Sequence, residues 1–207
     1  MKRKIRVLCG ILALFLLCAC APKAERVSEE ELQALRKQYP YNDAVNEVVD
    51  WIPADLAYPD FASWIYREEP FVIHTVAVLK PVGEWTEPNH SSDPVLREAK
   101  IEEVLWTRGS VKTGDGVKLS LGSKFTSYGM EFEKVYAEGE RLVCILFERP
   151  DAYGEESVFA AGKAYTFYLT KQDVLLSVSS APGPDSVSGM YLHAFKTLMA
   201  ETLGKSE

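Results

Sequence analysis

The feature that most limits how this 207-residue chain can fold is a change of rhythm at residue 71. Before it, apolar residues recur at helical intervals and prolines interrupt them. After it come short apolar or alternating runs separated by turn residues, the pattern of strands. Residues 71–79 are nearly all apolar and rich in β-branched side chains, as in a strand covered on both faces. A second strand is expected over 100–108. Gly114-Asp115-Gly116 then turns into a third, in which Val117, Leu119 and Leu121 share one face. Residues 125–136 fit one or two short strands. Gly139-Glu140 leads into 141–148, again apolar on both faces, and the polar turn Thr170-Lys171-Gln172-Asp173 divides 164–169 from 174–178. Two long polar segments, 83–97 and 150–162, read as loops.

The flanks are helical. Ser28-Glu29-Glu30-Glu31 has the form of a capping box, with Val27 and Leu32 spaced as a hydrophobic staple, so a helix is predicted over 29–38. Val45, Val48, Val49 and Ile52 keep helical spacing until Pro53 interrupts. Phe61, Trp64 and Ile65 mark a further turn or two over 60–68. Across 187–203 apolar residues recur at i, i+3, i+4 and i+7. That predicts a helix over 186–203, capped by Asp185 or Ser186, ended by Gly204 and packed on the strands. Five or six short strands with a long early excursion and a packing helix predict a mainly β (α+β) fold, a small, partly open OB-like barrel. The expected layout is one globular domain over 28–204: a helical lead-in (28–68), the barrel (71–178) and the C-terminal amphipathic helix.

A second constraint lies at the start of the chain. Lys2, Arg3, Lys4 and Arg6 precede an apolar run over 7–17. A bilayer span takes ~20 residues, so this run is too short to cross and suits the core of a signal peptide. Leu17-Cys18-Ala19-Cys20, at its end, resembles the bacterial lipobox, with Leu at −3, a small residue at −1 and Cys at +1. Cys18 stands at −2, where Ala, Ser or Val is more usual. The resemblance implies that residues 1–19 are removed, that Cys20 carries a thioether-linked diacylglycerol, and that 20–27 form the lipidated end and tether. A plain secretory peptide or an N-terminal membrane helix is the alternative. One acyl chain binds a membrane only marginally, whereas two hold firmly. The expected address is the outer face of a bacterial cytoplasmic membrane. In a host with an outer membrane the anchor would move outward, because Ala21 is not the Asp retention signal.

Removal of residues 1–19 leaves 188 residues, and the loss of four basic and no acidic residues takes the formal charge from −7 to −11. Such a body does not suit nucleic acid, which is held through phosphate neutralisation by Lys and Arg. Nor does it suit lying flat on anionic lipid. Cys9 and Cys18 leave with the leader and Cys20 is taken by lipid, so Cys144 stands alone and no disulfide framework is expected.

The strand segment carries a second resemblance. Glu102-Glu103-Val104-Leu105, Gly114-Asp115-Gly116-Val117, Glu138-Gly139-Glu140-Arg141-Leu142-Val143 and Tyr165-Thr166-Phe167 are similar to stretches of small OB-like barrels. These occur in Gram-positive lipoproteins and secreted proteins, related in shape to the netrin-like fold of metalloprotease inhibitors. The cysteines that staple the animal netrin-like domains are missing, so the resemblance implies a fold and no inhibitory residues.

No pattern in the chain spells out chemistry. Of three histidines, His74 sits among Val72, Val76 and Val78 and reads as a core residue, and His193 falls with Lys196 and Thr197 on the polar side of the last helix. His90 lies near Asp93, but zinc takes three or four ligands, so no metal or other cofactor is expected. No GxSxG, SxxK or HExxH occurs. Cys144, inside Leu142-Val143-Cys144-Ile145-Leu146, reads as a small buried hydrophobe rather than a nucleophile. Glu102 and Glu103 point to opposite faces of a strand and cannot pair as acid and base. Glu131 and Glu133 could share a strand face, which a solvated edge explains as well. Asp151, Glu155 and Glu156 crowd one loop without EF-hand spacing. These readings favour a non-enzymatic, lipid-anchored binding or structural lipoprotein whose ligand is a protein, peptide or glycan. Its rivals are an envelope hydrolase with an unfamiliar site and a transporter's solute receptor; the βαβ alternation of the latter is missing. Trp85, His90 and Asp93, in the long 83–97 segment, are the candidate partner-binding residues.

Overall fold

A computed structural model describes residues 25–42, 61–62, 65, 73–86, 94–123, 132–148, 158–160 and 165–204. The leader, Cys20, His90, Asp93, Glu131 and the 151–156 acidic cluster lie outside the described residues, as does the helix expected around 45–52.

The first helix, α1 (Glu29–Gln38), forms where its cap places it. Ser28 is extended at φ −68°, ψ 159°, and its Oγ accepts the Glu31 amide at 3.2 Å. Glu29, Glu30 and Glu31 fill the first turn, and Arg36 and Lys37 the last, in the sense that complements the helix dipole. Residues 61, 62 and 65 are helical, with Phe61 and Ile65 buried as expected.

The rest is mainly β, a seven-stranded sheet with a few helices. Its strands are β1 (Ile73–Thr86), β2 (Pro94–Thr107), β3 (Gly116–Ser123), β4 (Leu142–Glu148), β5 (Val158–Ala160), β6 (Thr166–Leu169) and β7 (Leu175–Ser177). Neighbours follow the order β1-β2-β3-β5-β4-β6-β7, and β1 also pairs with β4. Every pairing is antiparallel except β3 with β5. β1 and β4 are buried on both faces because two apolar clusters flank them. Ala77, Leu79, Leu142, Cys144 and Leu146 join one cluster, with Leu119, Phe159 and Tyr136. Val76, Val78, Val143 and Ile145 join the other, with Phe61, Phe167 and Phe195. Burying a Leu, Val or Phe side chain contributes ~1.5–3 kcal/mol, so these doubly covered strands carry much of the fold's stability.

Four expectations need correction. The 83–97 segment is not wholly loop. β1 continues to Thr86 and β2 starts at Pro94, with Trp85 opposite Arg97 and Thr86 opposite Leu96. Pro81 has no N–H to give, and β1 leaves β4 after Leu79. Gly83, at φ 66°, then absorbs the register shift that lets pairing with β2 resume. Second, 132–135 form the helical turn α2 (Phe132–Val135) rather than a strand, which sends the adjacent Val135 and Tyr136 both into the core. Glu133 therefore does not stand on a strand face. Third, β5 lies inside the expected 150–162 loop; at three residues it has no period to read, and pairing with β3 and β4 defines it.

Fourth, the C-terminal helix starts later than its apolar periodicity predicts. A separate turn, α3 (Pro182–Asp185), is followed by α4 (Leu192–Leu203), so the helix begins at 192 and not at 186. Gly189 sits at φ 81°, which stops any helix there, and Met190 and Tyr191 bridge instead to Arg26 and Val174. Tyr191, not Asp185 or Ser186, takes the N-cap position, while Gly204 ends the helix as expected. Leu192, Phe195 and Met199 face inward, and Trp106 Nε1 donates to the Gly204 carbonyl at 3.1 Å.

Candidate functional site

A buried charge stands where β1 and β2 come back together beyond Gly83. Along β2 the buried parity is 97, 99 and 101, with Glu98, Lys100 and Glu102 exposed between them. Arg97 therefore enters the core side next to Ala99 and Ile101, and it is 3% exposed. Its guanidinium carbon lies 4.8 Å from the centroid of the Trp85 ring, the residue opposite it in register. Its Nη1 donates to the Gly83 carbonyl, at the bulge. Trp85, half-buried, meets Tyr136 edge to face with centroids 6.4 Å apart. The Tyr136 hydroxyl in turn lies 2.7 Å from Thr166 Oγ1. Burial holds the Tyr136 phenol well above its usual pKa, with Cys144 adding to the shift and the Thr166 hydrogen bond opposing it.

Arg97 Nε and His193 Nε2 are buried without a hydrogen-bond partner among the described residues. His193 is thus not simply solvated: it is half-buried and stacks on Tyr191 at 5.8 Å. His74 is half-buried too, its ring 5.2 Å from Phe159 and its Nδ1 2.8 Å from Thr75 Oγ1. Cys144 is fully buried, and burial pushes its thiol up to about 12, so it holds no thiolate near neutrality. Glu102 and Glu103 are engaged on different partners, the former with Arg141 at 3.1 Å and the latter with Lys196 on α4. A cleft of about 350 Å³ lies on β2 and β3, bordered by Glu98, Lys100 and Lys118. Gly114 and Gly116 contribute no side chains there, which accounts for the space.

Of the three partner-binding candidates, Trp85 is placed on strand β1 against Tyr136 and Arg97, and His90 and Asp93 lie outside the described residues. Arg97 was not among the candidates. The signal for it is parity: a cation at the same spacing as Ala99 and Ile101 on an alternating strand. Among the described residues no cluster of three or more His, Cys, Asp or Glu is arranged to hold a metal, and no helix is long and apolar enough to cross a membrane.

Comparison of the chain with protein-family models, with curated proteins and with solved structures returned no match.

Proposed function

We propose that this chain is a lipid-anchored, extracytoplasmic binding lipoprotein whose folded part is a small OB-like barrel. One observation carries the address: Leu17-Cys18-Ala19-Cys20 follows a basic start and an apolar run too short to span a bilayer. Cys20 then takes the diacylglycerol, and the acidic body stands off the anionic surface on its tether. The barrel reading is supported by strand pairings that run β1-β2-β3-β5-β4 and return to β1, with the parallel step between β3 and β5. It is further supported by one apolar cluster to which all five of those strands contribute. The role is binding rather than catalysis, with a protein, peptide or glycan as the ligand class. What supports this is a buried inert thiol, carboxylates paired to Arg141 and Lys196, and a cation–aromatic pair at a strand bulge.

The test is metabolic labelling with an alkyne fatty acid in the native bacterial host. The wild-type chain is expected to label and to appear at its mature mass. Cys20→Ala is expected to lose the label and accumulate as uncut precursor. Equal labelling of the two would overturn the anchor.

A further inference from the structure

Two largely buried arginines in this fold are treated in opposite ways. Arg36, on α1, is surrounded by acceptors: Nη1 donates to the Ser177 carbonyl at 2.7 Å, and Nη2 to Asp185 Oδ1 and Ser188 Oγ, each at 2.6 Å. That is how a structural arginine is held, with its charge met by a carboxylate and its donors used. Arg97 is more deeply buried, yet the only hydrogen bond its guanidinium makes among the described residues is from Nη1 to the Gly83 carbonyl. No described carboxylate lies within ion-pair distance of it, in a chain whose formal charge is −7. The adjacent Glu98 points to the exposed face of β2.

The donors that remain are not scattered. With one Nη1 N–H given to Gly83 and Nε buried without a partner, the edge left open to a bidentate acceptor is that of Nε and Nη2, whose N–H groups lie side by side. Parallel N–H groups on such an edge match the two oxygens of a planar carboxylate, which accepts both at once. The Trp85 ring covers the face of the guanidinium and restricts its tilt. Ala99 and Leu119 flank Arg97 on the same side and are apolar, so a charge-assisted pair formed there would be poorly screened.

We propose that Arg97 is a ligand-binding residue whose Nε–Nη2 edge receives a carboxylate, as the free C-terminus of a peptide or the acid group of a sugar acid would supply. This gives a ligand chemistry to the binding function proposed above and rests on that reading. The anchor is a separate matter, tested separately at Cys20.

The experiment follows the Arg97 Nε–H resonance in the full chain, 15N-labelled at arginine. The resonance is assigned by its disappearance in Arg97→Lys. If that variant does not fold, cross-relaxation to the Trp85 ring protons makes the assignment in the wild type. Three probes are titrated: N-acetylalanine, N-acetylalaninamide and inorganic phosphate. The expected result is a saturable downfield shift with the acid, at least fivefold larger than with the amide. No saturable shift with any probe would overturn the site, as would an equal response to acid and amide. A response to phosphate larger than that to N-acetylalanine would overturn the carboxylate assignment. A failed titration beside reproducible retention on immobilised envelope glycan or peptide would remove the Arg97 site and leave the binding function. Failure of both would remove the binding function too.

Discussion

Arg36 Nη2 and Asp185 Oδ1 meet at 2.6 Å across 149 positions of sequence, joining the first described helix to the turn before the last. The same guanidinium reaches the Ser177 carbonyl, and Ser188 Oγ donates back to Asp185 Oδ1 at 2.7 Å while receiving the Ser177 amide at 2.9 Å. α1 shows no fully buried residue, so its apolar face alone attaches it weakly. This network fastens it to β7 and α3. Arg36→Met is expected to lower unfolding free energy by about 2–3 kcal/mol, since it strands partners that are partly or wholly buried. Arg36→Lys is expected to recover less than half of that, because one ammonium cannot reach all the acceptors the fork spans. Urea unfolding followed by circular dichroism checks both. A change under ~0.5 kcal/mol would show that the contact is merely superficial.

The loop that follows β2 offers a steric test. A Cβ placed on Gly109 would stand 2.2 Å from His74 Nε2, and the imidazole is backed by Phe159 at 5.2 Å. The ring cannot simply step aside. Gly109→Ala is expected to cost about 1–3 kcal/mol, in the range of overpacking. The cost should shrink to within about 0.5 kcal/mol when His74→Ala is already present, as expected for residues in direct contact. Four-way unfolding measurements on this pair check the coupling. Additive effects would mean that Gly109 has room.

How much of this was legible in the sequence depended on where each element draws its definition. α1 is defined locally, by Ser28 and the glutamates after it, and formed within the predicted limits. β4 is defined by continuous apolarity, which survives any register. β5 is three residues long and exists because β3 and β4 offer it edges, which no local window contains. The start of α4 was misread because apolar periodicity passes through Val187 and Met190. The backbone at Gly189 breaks instead, and those side chains reach the core from a turn. At the site, Trp85 was visible as an aromatic in a polar stretch. Arg97 was hidden, because a lone cation in a mixed strand reads as solvated until the parity of Ala99 and Ile101 is fixed by pairing with Val117 on β3 and Leu79 on β1.

Alkaline stability should report the buried thiol. Burial raises Cys144 from an ordinary 9.0 to about 12, and Tyr136 beside it is also held above its usual 10.0. Folding therefore keeps protons that the unfolded chain releases. The contribution is complete below about pH 9, where both states hold the thiol proton, and is lost as pH rises towards about 12. The unfolding midpoint should accordingly fall above pH 9, and Cys144→Ala should flatten the first part of that fall while lowering stability near neutrality through the lost packing. In the folded wild type the thiol should resist a polar maleimide and react on denaturation. Labelling at the rate of a free thiol would contradict its burial.

Trp85 separates a packed residue from a surface anchor. Its ring meets Tyr136 edge to face at 6.4 Å and lies under the Arg97 guanidinium at 4.8 Å, so two buried groups lean on it from different elements. Removing it exposes Tyr136 and leaves the Arg97 charge without its aromatic face. Fully buried Trp→Ala changes cost ~3–5 kcal/mol. Trp85 is half-buried, so a loss of about 2 kcal/mol is expected for Trp85→Ala. Trp85→Phe keeps a ring for both contacts and gives up mainly the stronger indole attraction, so it should stay within about 1 kcal/mol of wild type. Thermal unfolding of both variants, paired with retention on immobilised envelope glycan or peptide, distinguishes the roles. A lower melting temperature for Trp85→Ala, largely restored in Trp85→Phe, is the outcome that packing requires. Unchanged melting with lost retention would instead show that the ring serves only a partner, and the support it gives Arg97 would have to be withdrawn.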